Sequence, residues 1–171
     1  MPLISSNRFS RLIRHWRTDA EDVRRHFGEQ GFVRIEQAIF QCEKRSNAEL
    51  RFAIESSLDA YQIWAEVTPR ARAETLFAKH RVWDTEDNNG VLIYLLMADR
   101  AVEVIVDREA QRRVSPLVWK NVCDVMTQAF GRGQYVDGVL KAIAILQPTL
   151  EAAFPRLSSD VDELPNTVLI D

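Results

Sequence analysis

The sequence predicts an α/β protein, a three-layer α/β/α sandwich around a small mixed β-sheet. Two strand patterns, at residues 48–56 and 90–98, flank one helical pattern, and the two strands of such a β-α-β unit run parallel. A third strand pattern follows after only two residues and is expected to return antiparallel as a hairpin. Amphipathic helical patterns before, between and after the strands then cover both faces of the sheet.

Two helical patterns precede the first strand. Thr18 is a favourable N-cap residue, acidic residues occupy the first turn after it, and Gly28 is expected to end this helix. The next helix follows Gly31 and carries apolar residues at helical spacing from Phe32 to Cys42. Both helices are therefore predicted to pack an apolar face against the sheet.

The three strand patterns differ in how they alternate. Residues 48–56 alternate polar with apolar side chains, which predicts a strand with one solvent-exposed face near an edge of the sheet. The run "VLIYLLMA" (91–98) is apolar without alternation, which predicts a central strand covered on both faces. After Asp99 and Arg100, "AVEVIVD" (101–107) alternates again and supplies the returning strand.

Prolines and glycines set the limits of the remaining helices. Pro69 begins the helix between the parallel strands, and Ser115–Pro116 begins another that runs to about residue 130. A last helix follows Gly133 and is expected over 134–153. The predicted organisation is a helical N-terminal extension (1–30), an α/β/α domain (31–155) and an acidic C-terminal tail (156–171).

Composition limits the class of protein. A length of 171 residues, 46% hydrophobic residues and a net charge of −3 fit one globular domain, and so small a charge argues against nucleic acid as a partner. No apolar run reaches the roughly 18 residues of a membrane span, and no secretion signal begins the sequence, so we expect a cytoplasmic protein. The cysteines, Cys42 and Cys123, are far apart in helical patterns and are expected to be free.

Several kinds of active site are excluded by their missing motifs. The six glycines form neither a dinucleotide-binding turn nor a phosphate-binding loop, and the sequence has no Gly-x-Ser-x-Gly. His15, His26 and His80 are isolated from one another, which argues against zinc. The candidates for a site are therefore the carboxylates.

The topology predicts that five carboxylates lie at one end of the sheet. They are Glu49, Asp84, Glu86, Asp87 and Asp107. Neighbouring carboxylates repel one another unless a hard cation or a guanidinium lies between them, so this end is a candidate site for calcium or magnesium. In the alternative interpretation the acids only cap strands and solvate a turn, in which Asn89 takes the left-handed conformation before Gly90.

The stretch "RARAETLFAKHRVWDTEDNNGVLIYLLMADRAVEVIVDRE", followed by Trp119, "AFGRGQYVDGVLKAI" and a closing "FP", resembles the TPM-domain family. This family is named for thylakoid, photosystem II repair and receptor-modulating members. The resemblance covers about residues 32–155, and its most specific part is Asn89–Gly90–Val91–Leu92, then Asp99–Arg100 and Asp107. It implies an α/β/α sandwich, calcium binding as in some members, and the acid phosphatase activity reported for some.

The sequence also departs from the larger members of this family. Those members carry a secretion signal, a glycine-rich stretch before the Asn-Gly and a membrane anchor, and none of these is found here. Where many members have a glycine after the Asp107–Arg108 pair, this sequence has Glu109 and Ala110. It is therefore similar to the short, unanchored branch of the family.

Two functions of different classes fit these observations. The first is a non-enzymatic interaction or assembly module whose acidic end binds a divalent cation or nothing. The second is a metal-assisted phosphatase for phosphomonoesters, in which Arg100 or Arg108 neutralises developing charge. Thr85 is the only hydroxyl residue in the acidic loop, so a water would have to attack, and the sequence identifies no catalytic residue.

The N-terminus adds a candidate binding surface. Phe9, Leu12, Ile13 and Trp16 form one helical stripe, and residues 1–17 contain four arginines and no acid. A basic amphipathic helix with aromatic anchors is typical of proteins that bind the surface of an anionic membrane, here its inner face. Alternatively the stripe packs on this domain, packs on a protein partner, or is disordered.

Overall fold

The computed structural model describes residues 6–156 and 164–171. Its elements, in chain order, are α1 (Ser6–Arg17), α2 (Ala20–Glu43), β1 (Leu50–Glu55), α3 (Ala60–Trp64), α4 (Pro69–Lys79), β2 (Val91–Leu96), β3 (Ala101–Val106), α5 (Arg108–Arg113), α6 (Pro116–Gly131), α7 (Tyr135–Ala153) and β4 (Leu169–Ile170). The four strands form one mixed sheet in the order β3-β2-β1-β4, with helices on both faces. The predicted α/β/α sandwich is confirmed.

The pairing of the three long strands agrees with the prediction. β1 runs parallel to β2, with Leu50 opposite Val91 at one end and Glu55 opposite Leu96 at the other. β3 returns antiparallel to β2 after a tight turn. Because β1 and β2 are parallel and β3 is antiparallel to them, the starts of β1 and β2 and the end of β3 lie at one end of the sheet, as predicted.

The core has two layers, one on each face of the sheet. On the first face, β1 and β2 side chains pack against α2, α6 and α7. On the second face, Leu92, Tyr94 and Leu96 of β2 pack mainly against α4, with Ile63 of α3 nearby. All six residues of β2 are buried, which confirms the central strand.

The prediction that β1 has one solvent-exposed face is wrong, although β1 does lie near an edge of the sheet. All six residues of β1 are buried, and the two-residue strand β4 lies outside it. Hydrogen bonds compensate for the burial of the Glu55 carboxylate. Arg72 donates two of them, of 2.8 and 2.7 Å, and the hydroxyl of Tyr94 donates another of 2.6 Å. The alternation in the sequence thus reflects an internal ion pair.

The end of the predicted acidic tail belongs to the sheet. Leu169 and Ile170 pair parallel with Ala53 and Ile54. The carboxylate of Asp171 accepts hydrogen bonds from Lys79 and His80. Burial alone would raise the pKa of Asp171, but the hydrogen bonds from Lys79 and His80 lower it below its ordinary value.

Local signals explain where most helices begin and end. The N-cap of α2 is Asp19 rather than Thr18, because the Asp19 side chain accepts hydrogen bonds from two backbone N–H groups of the first turn. Gly28 has a left-handed φ of 61° and interrupts α2, as expected. Thr68 and Ser115 cap α4 and α6. The short helices α3 and α5 were not predicted, because one turn shows no periodicity.

Both cysteines are free, as predicted. Burial raises the pKa of Cys42 to about 12 and that of Cys123 to about 11. Neither thiol therefore ionises readily near neutral pH, which argues against a nucleophilic role for either.

Gly90 is the tightest backbone position at the start of β2. A Cβ added there would lie 1.9 Å from the carbonyl oxygen of Val82. We therefore expect Gly90→Ala to lower the free energy of unfolding by about 3 kcal/mol or more, measured by denaturant unfolding.

Gly131→Ala is the matched control for this substitution. A Cβ at Gly131 meets nothing within 4 Å, so its effect should stay within about 0.5 kcal/mol. Equal unfolding midpoints for the two variants would show that the contact between Val82 and Gly90 does not constrain the fold.

Candidate functional site

One end of the sheet, named here the Asp107 end, contains the start of β1, the start of β2 and the end of β3. Its loops are joined by backbone hydrogen bonds: the N–H of Asp107 donates to Gly90 O (2.9 Å), and that of Glu109 donates to Asn88 O (3.1 Å). The predicted convergence of three chain segments at this end is therefore observed.

Amide and carboxylate side chains form a chain of contacts at the Asp107 end. Asn47 Nδ2 donates to Asp87 Oδ2 (2.6 Å), and Asn89 Nδ2 donates to the backbone oxygen of Asn47. Asn89 is fully buried. The segment before β1 and the loop before β2 thus meet through these residues.

Two buried oxygens at this end lack a hydrogen-bond donor within residues 6–156 and 164–171. They are Oδ1 of Asn89 and Oδ2 of Asp107. The other carboxylate oxygen of Asp107 caps α5 by accepting from the N–H of Arg108 (2.7 Å). Because an unsatisfied buried acceptor costs about 1–3 kcal/mol, such a pair of oxygens is suited to a positively charged ligand.

The remaining predicted carboxylates are directed elsewhere. Glu49 is buried, and its Oε2 accepts from the N–H of Leu164 (3.1 Å) in the C-terminal segment. Asp84 is exposed and lies 3.9 Å from Arg81, and Glu86 is also exposed. In the part of the chain that the structure describes, no group of three or more His, Cys, Asp or Glu side chains is arranged to hold a metal. Asp87, Asn89 and Asp107 remain as the oxygen-bearing residues that make contacts within the Asp107 end.

The turn before β2 also differs from the predicted one. The left-handed residue is Asn88, with a φ of 51°, and not Asn89. This shift turns Asn89 inward, where its N–H donates to the hydroxyl of Thr85 (3.1 Å). The sequence showed two adjacent asparagines but did not show which side chain would be buried.

The two predicted charge-neutralising arginines lie at opposite ends of the sheet. Arg108 is exposed at the Asp107 end, with Nη2 3.5 Å from Oδ1 of Asn88. Arg100 belongs to the β2–β3 turn, so the full length of a six-residue strand, roughly 20 Å, separates it from the acids. The prediction that Arg100 serves the acidic end is therefore wrong.

The opposite end of the sheet, named here the Asp99 end, anchors α1. The carboxylate of Asp99 accepts hydrogen bonds from Arg11 (2.7 Å), from Arg14 (2.9 Å) and from Nε2 of His15 (3.0 Å). Sequence reasoning missed this cluster. The available signal was the i, i+3, i+4 spacing of the three donors, which puts them on one side of a helix.

His15 is buried and held from two sides. The N–H of Leu58 donates to Nδ1 (2.8 Å), so Nδ1 acts as the acceptor and Nε2 carries the hydrogen that is donated to Asp99. Burial would raise the pKa of Asp99, but the hydrogen bonds from His15, Arg11 and Arg14 hold it well below its ordinary range. Asp99 therefore stays ionised and fixes α1.

Docking through the polar side of α1 leaves much of its apolar stripe uncovered. Leu12 packs against the core, but Phe9 is 57%, Ile13 40% and Trp16 85% exposed. On α3, Tyr61 and Trp64 are 80% and 60% exposed.

Trp16 and Phe9 lie in grooves that α1 shares with α3. One groove is lined by Phe9, Leu12, Ile63 and Trp64, and the adjoining one includes Trp16 and Ala60. We name the surface formed by Phe9, Trp16, Tyr61 and Trp64 the aromatic face. Across the described ranges of the chain, no helix is long and apolar enough to cross a bilayer.

The comparisons with known proteins agree with this fold. The family model of the TPM domain matches residues 25–148. The NMR structure of the BA42 protein from Bizionia argentinensis is 27% identical with a TM-score of 0.70, and the match covers 83% of this chain and 93% of that one. The N-terminal domain of a protein from P. gingivalis is similar in fold, at 19% identity and a TM-score of 0.54, covering 69% and 72% of the two chains. No curated protein matches this chain.

The Asp99 cluster predicts a large effect of one substitution. Asp99→Asn should lower the free energy of unfolding by about 3 kcal/mol at neutral pH, because it leaves Arg11 and His15 without their carboxylate. Asp84→Asn, at an exposed acid, is the control and should change it by less than about 0.5 kcal/mol.

The low pKa of Asp99 also predicts how this difference depends on pH. Its folded-state pKa lies below the unfolded value of about 3.9, so its contribution is complete above about pH 5 and is lost as the pH falls through the folded pKa. The gap between wild type and Asp99→Asn should be constant from about pH 5 to pH 8 and narrow below about pH 4 in urea unfolding. A gap that widens on acidification would contradict this assignment.

Proposed function

The chain belongs to the TPM-domain family, and from this premise we propose that it is a non-enzymatic interaction module. It has two binding surfaces. The aromatic face of α1 and α3 binds an anionic membrane surface, and the Asp107 end binds a divalent cation.

The observation that carries the proposal is the exposure of four large aromatic side chains on neighbouring helices. Large exposed apolar patches commonly mark binding sites, and Phe9, Trp16 and Trp64 line adjoining grooves between α1 and α3. Tryptophan and tyrosine favour the interface between water and lipid, because each has an apolar ring with a polar group. Arg14 and Arg17 on the same helix match the negative charge of an inner membrane leaflet.

The cation proposal rests on the two buried oxygens that have no donor among the described residues. Calcium and magnesium take carboxylate and amide oxygens, and Asp107, Asn89 and Asp87 supply these at one end of the sheet. A bound cation would supply positive charge to these two acceptors, Oδ1 of Asn89 and Oδ2 of Asp107. Binding would also join the three chain segments that meet there, and so stabilise the fold.

A second candidate function is a metal-assisted acid phosphatase acting on phosphomonoesters. It is favoured by Arg108, whose guanidinium is exposed at the Asp107 end, where it can contact phosphoryl oxygens. The hydroxyl of Thr85 is buried and accepts a backbone hydrogen bond, so the attacking group would be a water. Hydrolysis of p-nitrophenyl phosphate that Arg108→Ala abolishes would favour this function.

The membrane proposal predicts a specific loss of vesicle binding. Trp16→Ala should reduce partitioning to anionic vesicles at low salt by about tenfold or more, measured by co-sedimentation. Trp83→Ala is the matched control, because Trp83 is a half-exposed tryptophan in the loop before β2. Equal partitioning of the two variants would contradict the role of the aromatic face.

The cation proposal predicts a ligand-dependent melting temperature. Millimolar calcium or magnesium should raise the melting temperature of the wild type, by linkage of binding to folding, and Asp107→Asn should weaken the response. Asp84→Asn should respond like the wild type, because its carboxylate points to solvent. A wild-type melting temperature that calcium, magnesium and manganese all leave unchanged would rule the site out.

A further inference from the structure

A groove of about 590 Å³ lies between α1 and the β2–β3 turn, at the Asp99 end and away from the cation-binding end. It is lined by Ile13, Arg14, Arg17, Met97, Ala98 and Arg100, and Asp99 lies at its inner side. We name it the arginine groove. The groove takes no part in the proposed cation site, which lies at the other end of the sheet.

The charges in the arginine groove do not balance. Three guanidinium groups line it against the single carboxylate of Asp99. That carboxylate is already occupied by Arg11, Arg14 and His15. Arg17 and Arg100 are exposed and make no ion pair within the described residues, so the groove carries an excess of positive charge that faces solvent.

The turn itself does not explain the presence of Arg100. Its φ is 52°, a left-handed conformation that glycine and asparagine adopt at lower cost than arginine. Folding would therefore favour a different residue at this position. What arginine adds is a long side chain with a planar donor group beside the groove.

We propose that the arginine groove binds the phosphate group of an anionic phospholipid. The forked donors of guanidinium groups match the oxygens of a phosphate, and the apolar walls formed by Ile13, Met97 and Ala98 suit the carbon atoms beside it. The groove shares α1 with the aromatic face, because Ile13 lines one and lies between Phe9 and Trp16 of the other. The inference rests on the proposed membrane binding and assigns its headgroup site.

The test uses two double variants that remove the same charge. Arg17→Gln with Arg100→Gln removes the two unpaired groove arginines. Arg45→Gln with Arg132→Gln is the matched control, since both residues are exposed, have no ion pair within the described residues and lie outside the groove. Full-length proteins are mixed with phosphatidylcholine vesicles containing about one-third phosphatidylglycerol. The groove variant should partition about 30-fold less than the control, because each arginine near such a surface contributes about fivefold.

Two soluble probes separate this inference from the proposed function. Monomeric dihexanoyl phosphatidylglycerol presents the phosphodiester without a bilayer, and it should shift the backbone amide signals of Ile13, Met97 and Ala98 in the control but not in the groove variant. If the two variants bind vesicles equally, the proposed phospholipid site in the arginine groove is wrong, while the proposed membrane binding stands. Monomer binding without vesicle binding supports the groove and overturns the membrane function.

Inorganic phosphate is the last probe. If it displaces the monomer at equal concentration, the groove takes free phosphate and the lipid assignment is overturned. If neither lipid form binds, both the groove and the membrane function are overturned.

Discussion

The parallel pairing of β1 with β2 is the constraint on which both candidate surfaces depend. Because the two strands share a direction, their preceding loops meet at one end of the sheet and their following loops at the other. The β2–β3 hairpin then returns the chain to the first end, which brings Asp107 beside Gly90. A different register would move Asp107 and Asn47 away from the loop that carries Asp87 and Asn89.

Two carboxylates of the described residues, Glu55 and Asp99, each accept hydrogen bonds from several donors. Glu55 is held by Arg72 and Tyr94, and Asp99 by two arginines and His15. Each carboxylate joins elements that are far apart in the sequence, so the ion pairs specify how helices sit on the sheet more than they add to its stability. The Asp107 end is different, because Oδ2 of Asp107 has no donor in the described residues. That difference is why we infer a ligand there and a structural role for the other two.

Much of the fold could be predicted from local patterns, while the site depended on contacts that no local pattern encodes. The unbroken apolar run of β2 and the two-residue turn after it were enough to predict a central strand and a hairpin. The ion pair of Glu55 made β1 look half exposed, because alternation cannot distinguish a solvated carboxylate from a buried pair. β4 has only two residues and pairs with a strand more than a hundred positions away, so it left no periodic signal. At the Asp107 end, topology predicted which segments meet, but only the fold shows that Glu49 faces Leu164 and that Asn89 turns inward.

The orientation of α1 connects its attachment to the sheet with the proposed binding of its outer surface to a membrane. An amphipathic helix usually buries its apolar stripe, yet here Arg11, Arg14 and His15 attach the helix to Asp99 through its polar side. This attachment needs an ionised Asp99, and it holds Trp16 and Phe9 outward without covering them. Arg14 contributes both to the attachment of α1 and to the arginine groove, because it donates to Asp99 and its side chain is still half exposed in the groove. A phosphate bound there would accept from the guanidinium of Arg14 that also donates to Asp99, while Arg11 and His15 keep their hydrogen bonds to Asp99. Lipid binding would then require no release of α1, so the helix can serve at once as part of the fold and as the surface that meets the membrane.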